Sequence, residues 1–111
     1  MHRVDVERHP HVAIVVAAGE LDAYVVPDLA SAFAEVHGAR GVIADLEHVS
    51  FMDSSALGLV VRATRELRAA GTELLIVLPG GTARRIFEIT GLDRVLPVAE
   101  TRHAALAELG A

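Results

Sequence analysis

The sequence predicts an α/β domain in which a single mixed sheet with a parallel centre packs against helices. Two short apolar segments, 42–46 and 73–78, show no clear alternation, which is typical of strands buried on both faces. A helical repeat of apolar residues lies between them, as in a strand–helix–strand unit. Two segments near the N-terminus predict a hairpin. We therefore expect about four to five strands and about four helices.

Turn and helix signals set the expected boundaries of these elements. Pro27 suits the first turn of a helix, where its missing N–H costs nothing, and Gly71 suits a helix end. We expect the chain to leave the sheet at 19–22 and to form a loop over 47–52. The expected strands cover 4–8, 11–18, 42–46, 73–78 and 94–98, and the expected helices cover 27 to the stop at Gly38, 53–70, 82–90 and 101–109.

The composition limits the possible classes of function. The chain has 111 residues, 52% of them hydrophobic, which predicts one folded domain over residues 1–111. A net charge of -5 opposes nonspecific binding to nucleic acid or anionic lipid, and the sequence contains no cysteine for disulfides or thiol catalysis. Neither a signal peptide nor a membrane-spanning segment is evident. We expect a cytoplasmic protein with no direct nucleic-acid or membrane contact, as a monomer or a weak dimer.

The most informative segment, 42–67, predicts a buried strand, a short loop and a helix. This order brings Asp53, Ser54 and Ser55 to the helix N-terminus. At about 100° per residue, Ser55 falls opposite the apolar face and Ser54 falls nearer the buried edge. Ser55 is therefore the serine that we expect another protein to reach. The apolar face is expected to comprise Leu57, Val60, Val61, Thr64 and Leu67, and the exposed stripe in line with Ser55 to comprise Leu59, Arg62 and Glu66.

Residue types alone leave simpler interpretations open. Asp53, Ser54 and Ser55 are favoured helix caps. Asp22 is a favoured turn residue, as well as a candidate for partner binding. The stripe of Leu59, Arg62 and Glu66 is as compatible with a solvated helix face as with an interface. Asp45, near the end of a buried strand, is expected to accept hydrogen bonds from loop amides.

The motif FMDSSALG at 51–58, preceded by VIADLEHVS at 42–50, resembles the STAS domain of anti-sigma-factor antagonists. The GELD motif at 19–22 and the late stretch IFEITGLDRVLPV at 86–98 extend the resemblance over nearly the whole chain. The resemblance implies the STAS fold and a regulatory protein that is not an enzyme and uses no cofactor or metal. One residue departs from the family pattern, because Ala56 stands where glycine is usual. Alanine favours a helix by about 1 kcal/mol over glycine, so we expect a stiffer helix start.

The resemblance also implies how the protein is regulated. In this family the second serine of the DSS motif, here Ser55, is phosphorylated by an anti-sigma factor that is also a serine kinase. The unphosphorylated form binds that anti-sigma factor and so frees the sigma factor, and a serine phosphatase resets the switch. We expect the partner-binding surface to comprise Asp22, Asp53, Ser54, Ser55, Leu59 and Arg62.

The residues leave two other functions open. A STAS module can serve a stress-signalling or lipid-transport assembly that involves no sigma factor. Alternatively, the loop Gly80-Gly81-Thr82 binds a nucleotide phosphate at a helix start, although it lacks the lysine and the spacing of a P-loop. Strand spacing would place His9 and His11 on one face, but no carboxylate neighbour completes a metal site there, so no metal is expected.

Overall fold

The computed structural model describes residues 1–110. The strands are β1 (His2–Arg8), β2 (Val12–Leu21), β3 (Gly41–Met52), β4 (Glu73–Val77) and β5 (Val98–Ala99), and the helices are α1 (Val26–Glu35), α2 (Ser54–Ala69), α3 (Thr82–Thr90) and α4 (Arg102–Glu108). The sheet has the order β1-β2-β3-β4-β5, with β1 antiparallel to β2 and all other neighbours parallel. The predicted mixed sheet with a parallel centre is confirmed. Within residues 1–110, no helix combines the length and apolar character needed to cross a bilayer.

Helices cover both faces of the sheet, but unequally. The larger core joins one face to α1, α2 and α3 through side chains such as Phe33, Val60 and Phe87. The smaller core lies under α4, where Ala105 packs with the buried residues of the central strands, including Ile14 and Ile43. The central strands are therefore buried on both faces, which explains their unbroken apolar sequence.

Both β2 and β3 extend further than the sequence predicted. We expected the chain to leave the sheet at 19–22 and to form a loop over 47–52, but β2 continues to Leu21 and β3 to Met52. The pairing of the two strands shifts between Val16 and Ala18 and again between Gly19 and Glu20. At each shift β3 carries one residue more than β2, as in a β-bulge. These bulges interrupt the alternation by which a strand is recognised in sequence.

Gly19 allows the close approach of β1 at this end of β2. Its φ is +80°, in the left-handed region, and a Cβ atom built there would collide with the carbonyl oxygen of Met1. That carbonyl accepts a hydrogen bond from Glu20 N at 3.1 Å. A glycine is therefore required for the hairpin to remain paired up to its open end.

The predicted strand over 94–98 is wrong. A 3₁₀ turn occupies Leu92–Arg94, and the strand covers only Val98–Ala99. Gly91 ends α3 in the left-handed conformation, and the carbonyl of Leu92 then accepts hydrogen bonds from Val95 and Leu96. These local backbone bonds replace the strand pairing that the apolar residues suggested.

An ion cluster attaches α4 to the sheet. Arg102 donates from Nε to Asp45 Oδ2 at 3.0 Å and from Nη1 to Glu7 Oε1 at 2.8 Å. Asp45 is only 2% exposed, and its other oxygen accepts from Glu47 N at 3.0 Å, which confirms the expected bond to an amide. The hydrogen bond from Arg102 is the main reason that the pKa of Glu7 lies below its ordinary value. Arg102 therefore neutralises the carboxylate of Asp45, whose burial would otherwise be costly.

We predict that Arg102→Met lowers the free energy of unfolding by about 2 kcal/mol, because it leaves the buried Asp45 charge without its partner. Urea unfolding at neutral pH measures the change. Arg3→Met is the matched control, since it removes an exposed pair with Asp5 that contributes little. Because the folded-state pKa of Glu7 is lowered, the part of the difference that Glu7 supplies should be lost as the pH falls below 4.5. Equal losses from both variants at neutral pH would contradict the assignment.

Candidate functional site

The N-terminus of α2 is joined directly to the end of β2. Asp53 follows β3, and its backbone N–H donates to the carbonyl of Leu21 at 2.9 Å. Asp53 has extended backbone angles, and its Oδ1 accepts from Ala56 N at 2.9 Å, which makes it the N-cap of the helix. The capping role expected for Asp53 is thus confirmed. The bond between Asp53 N and the Leu21 carbonyl places the end of β2 beside the first turn of α2.

Ser54 and Ser55 are both exposed on the first turn of α2. The exposure expected of Ser55 is confirmed, but Ser54 is exposed as well, so exposure does not separate the two serines. The buried face of the helix begins at Ala56, which is fully buried, and continues through Val60, so the packed face is rotated toward Ala56. Within residues 1–110, the N–H groups of both serines lack a protein acceptor, as is usual at a helix start.

Leu59 is less exposed than the sequence predicted. It is half-buried and packs against the larger core, on the rim of a groove of about 210 Å³ between α1 and α2. Arg62 lies on the same rim and remains exposed, as expected. The difference arises because α1 covers this side of α2, which an angular projection of α2 alone does not include. The groove also has Phe33, Ala34 and Ala63 in its lining.

Asp22 caps the turn that follows β2. Its Oδ1 accepts from Tyr24 N at 3.0 Å, and its carbonyl accepts from Val25 N at 3.0 Å. The turn-capping interpretation of Asp22 is therefore confirmed. The same turn presents Tyr24, which is 89% exposed and which the sequence analysis did not select. An aromatic residue two positions after the turn residue Asp22 was the signal that could have identified it.

The site is rich in hydrogen-bond donors from the backbone and in acidic side chains. Glu20, Asp22 and Asp53 lie at the carboxyl ends of β2 and β3, and Ser55 presents a hydroxyl beside free amide groups. A phosphate placed on such a helix start can accept hydrogen bonds from those amides and is favoured by the helix dipole. The arrangement therefore suits a modifiable hydroxyl on a surface that remains folded in either state.

The loop after β4 offers a different environment. Gly80, Gly81 and Thr82 border an open depression of about 760 Å³ at the start of α3. Its lining includes Glu88 and Glu100, and Arg84 lies 3.9 Å from a carboxylate oxygen of Glu100. Arg85 also lines it, so two guanidinium groups balance the two carboxylates, and the lining carries no net positive charge to attract a nucleotide polyphosphate.

Comparison with known proteins agrees with these features. The family model described as STAS domain matches residues 3–105. The anti-sigma-B factor antagonist of Staphylococcus aureus (strain NCTC 8325 / PS 47) is 40% identical over 88 residues, which are 78% of this chain and 82% of that protein. The protein of the same name from Listeria monocytogenes is 38% identical over 90 residues, covering 79% of this chain and 78% of that protein.

Solved structures show the same architecture. An anti-sigma factor antagonist from Mycobacterium paratuberculosis superposes with a TM-score of 0.90 at 28% identity, covering 100% of this chain and 96% of that one. The Bacillus cell fate determinant SpoIIAA in its phosphorylated form superposes with a TM-score of 0.75 at 27% identity, covering 96% of this chain and 99% of that one. With the family model spanning residues 3–105 and a relative at 40% identity, this chain belongs to the STAS domain family.

Proposed function

We propose that this protein is an anti-sigma factor antagonist, whose unphosphorylated form binds an anti-sigma factor with serine kinase activity and so releases a sigma factor. The observation that carries the proposal is the exposed Ser55 hydroxyl at the capped start of α2. The names of the relatives from Staphylococcus aureus and Listeria monocytogenes support the same role. The chain acts by binding and has no catalytic activity of its own.

Ser55 is the phosphate acceptor in this proposal, and a serine phosphatase restores the hydroxyl. The free N–H groups of Ser54 and Ser55 can solvate the phosphate, so the fold tolerates it. The carboxylate of Asp53 opposes the added charge, but it is already directed toward Ala56 N. Phosphorylation therefore changes the surface and leaves the sheet and helices as they are.

The effect falls on binding because a contact shaped around a neutral hydroxyl accommodates a phosphate poorly. The modification adds about −1.5 to −2 charges and three oxygens that need donors or water. Removing that water at an interface without new donors costs several kcal/mol. Since each 1.4 kcal/mol is tenfold in affinity, a cost of about 3 kcal/mol weakens binding more than a hundredfold.

The partner-binding surface combines the turn after β2 with the exposed side of α2. Its members are Asp22, Asp53, Ser54, Ser55, Leu59 and Arg62. The bond between Asp53 N and the Leu21 carbonyl supports this grouping, since it holds the two segments together. Leu59 contributes only its exposed edge because the rest packs against the core.

We predict that Ser55→Asp weakens binding to the anti-sigma factor about a hundredfold, while Ser55→Ala binds like the wild type. Each anti-sigma factor kinase of the source genome is purified and tested by titration calorimetry, and incubation with ATP followed by mass spectrometry identifies the modified serine.

Ser31→Asp is the matched control, because it adds the same charge to an exposed position on another helix. It should bind normally. Equal affinities for Ser55→Asp and Ser55→Ala, or phosphate on Ser54 in place of Ser55, would contradict the proposed switch.

A second prediction separates capping from binding at Asp53. Asp53→Ala and Thr101→Ala each remove an N-cap acceptor, from Ala56 N in α2 and from Ala104 N in α4. Both variants should lose about 1 kcal/mol of unfolding free energy in urea. Only Asp53→Ala should also weaken binding to the anti-sigma factor. If the two variants bind equally well, Asp53 has no role beyond the cap.

A third prediction concerns Gly58, one turn below the serines. A Cβ atom at this position would have open space, with Arg62 Nη1 at 3.8 Å as its nearest neighbour. Gly58→Ala should therefore raise the free energy of unfolding by up to about 1 kcal/mol. Gly58 lies one turn after Ser55 on α2, so we also predict that the added methyl group weakens binding by crowding a partner at Ser55. A variant that gains stability and keeps full affinity would remove Gly58 from the interface.

A further inference from the structure

The aromatic side chains of this protein are divided between the core and one end of the sheet. The sequence contains three Phe, one Tyr and no Trp. Phe33 and Phe87 are buried in the larger core, whereas Tyr24 and Phe51 are 89% and 48% exposed. Half of a small aromatic complement therefore lies in solvent, where it contributes little to the stability of the fold.

Both exposed aromatic residues lie next to the proposed binding surface. Tyr24 belongs to the turn that begins at Asp22, and Phe51 lies two residues before Asp53. Phe51 pairs with Glu20 in the last part of the β2–β3 ladder, one position before the pair of Leu21 and Met52. The two residues therefore belong to segments that meet where the end of β2 joins the start of α2, Tyr24 in the turn after β2 and Phe51 in the last part of β3.

The backbone around Tyr24 is held in place. The buried side chains of Leu21 and Val25 anchor the turn on either side, and Asp22 accepts hydrogen bonds from the N–H groups of Tyr24 and Val25. The Phe51 backbone is part of β3. Aromatic side chains on ordered backbone lose little conformational entropy on binding, which favours their use as contact residues.

We propose that Tyr24 and Phe51 are the apolar anchors by which this protein binds its anti-sigma factor, an inference that rests on the proposed function. Exposed aromatic side chains are enriched among the residues that dominate binding energy. Each anchor has acidic neighbours, since Glu20 pairs with Phe51, Asp53 follows Phe51 by two residues and Asp22 precedes Tyr24 by two. The partner surface that fits them therefore has apolar pockets bordered by basic side chains.

In this arrangement, the aromatic anchors and Ser55 have different roles in binding. The aromatic anchors supply affinity in either phosphorylation state, and Ser55 reports the state of the switch. A partner that has lost contact at Ser55 can still meet the anchors weakly, which allows rapid return after the phosphate is removed. The acidic residues increase the rate of encounter with a basic surface, so binding should weaken as salt is added.

The test uses the full chain and the anti-sigma factor kinase that the phosphorylation assay identifies. Tyr24→Ala and Phe51→Ala should each lower affinity by at least about tenfold. Ile89→Ala is the matched control, because Ile89 is 76% exposed on α3 and lies outside this surface. Its affinity should equal that of the wild type. Thermal melting of all three variants checks that each remains folded.

A second readout observes the contact without a substitution. Tyr24 is the only tyrosine, so incorporation of 3-fluorotyrosine gives a single fluorine resonance. Addition of the unlabelled anti-sigma factor should shift or broaden that resonance, as expected for a ring that leaves water for an apolar pocket.

The outcomes distinguish this inference from the proposed function. If Ser55→Asp weakens binding while Tyr24→Ala or Phe51→Ala binds like the wild type, the anchor role is overturned and the switch remains. An unchanged fluorine resonance at saturating partner also overturns the anchor role. If no anti-sigma factor of the source genome binds the wild-type chain, the proposed function itself fails.

Discussion

The site depends on one backbone hydrogen bond, from the N–H of Asp53 to the carbonyl of Leu21 at 2.9 Å. It continues the β2–β3 ladder past the last strand pair and into the start of α2. Two bulges precede it, and the shorter strand β2 thereby keeps its pairing to the end. The turn carrying Asp22 and the helix start carrying Ser55 belong to separate connections, and this bond joins them one position beyond the pair of Leu21 and Met52. With it, they form one continuous surface at the carboxyl end of the central strands, where ligands of α/β sheets commonly bind.

The start of α2 is capped and packed on one side and exposes two serines on the other. The Asp53 carboxylate satisfies Ala56 N, and the buried methyl group of Ala56 fixes the first turn against the core. Alanine at this position is therefore accommodated as a packed residue, and the stiffer start expected from its helix propensity stays a prediction. The N–H groups of Ser54 and Ser55 remain available outside the core. A negative charge added at Ser55 can thus accept hydrogen bonds from N–H groups of its own chain. Its free-energy cost arises mainly when a partner covers this surface.

The sequence predicted those parts of the structure that depend on local patterns. The apolar strand over 73–78, the long second helix and the cap at Asp53 all follow from residues close in sequence. The predicted loop over 47–52 was wrong because two bulges disrupt alternation within a strand that is held by its neighbour. The exposure of Leu59 was wrong because α1 packs over it, and the predicted strand at 94–98 was wrong because Leu92–Arg94 forms local bonds. The first two errors reflect contacts from outside the segment, and the third reflects a local turn that the apolar residues do not indicate. The residues proposed for the site are easier to place together from sequence, since Asp53, Ser54 and Ser55 are consecutive.

Stability and recognition are placed in different parts of the molecule. The ion cluster of Arg102, Asp45 and Glu7 holds α4 on one face of the sheet, while Ser55 and its neighbours belong to the opposite layer and to the ends of β2 and β3. Because Asp45 is buried, its pairing with Arg102 resists solvent and salt far better than the exposed charges around the site. Ser55 lies on a solvent-exposed surface, where water and salt screen a change of charge. The buried charge of Asp45 does not depend on that surface. Under the proposed switch, a phosphate dianion at Ser55 would therefore leave the core of this domain of 111 residues unchanged.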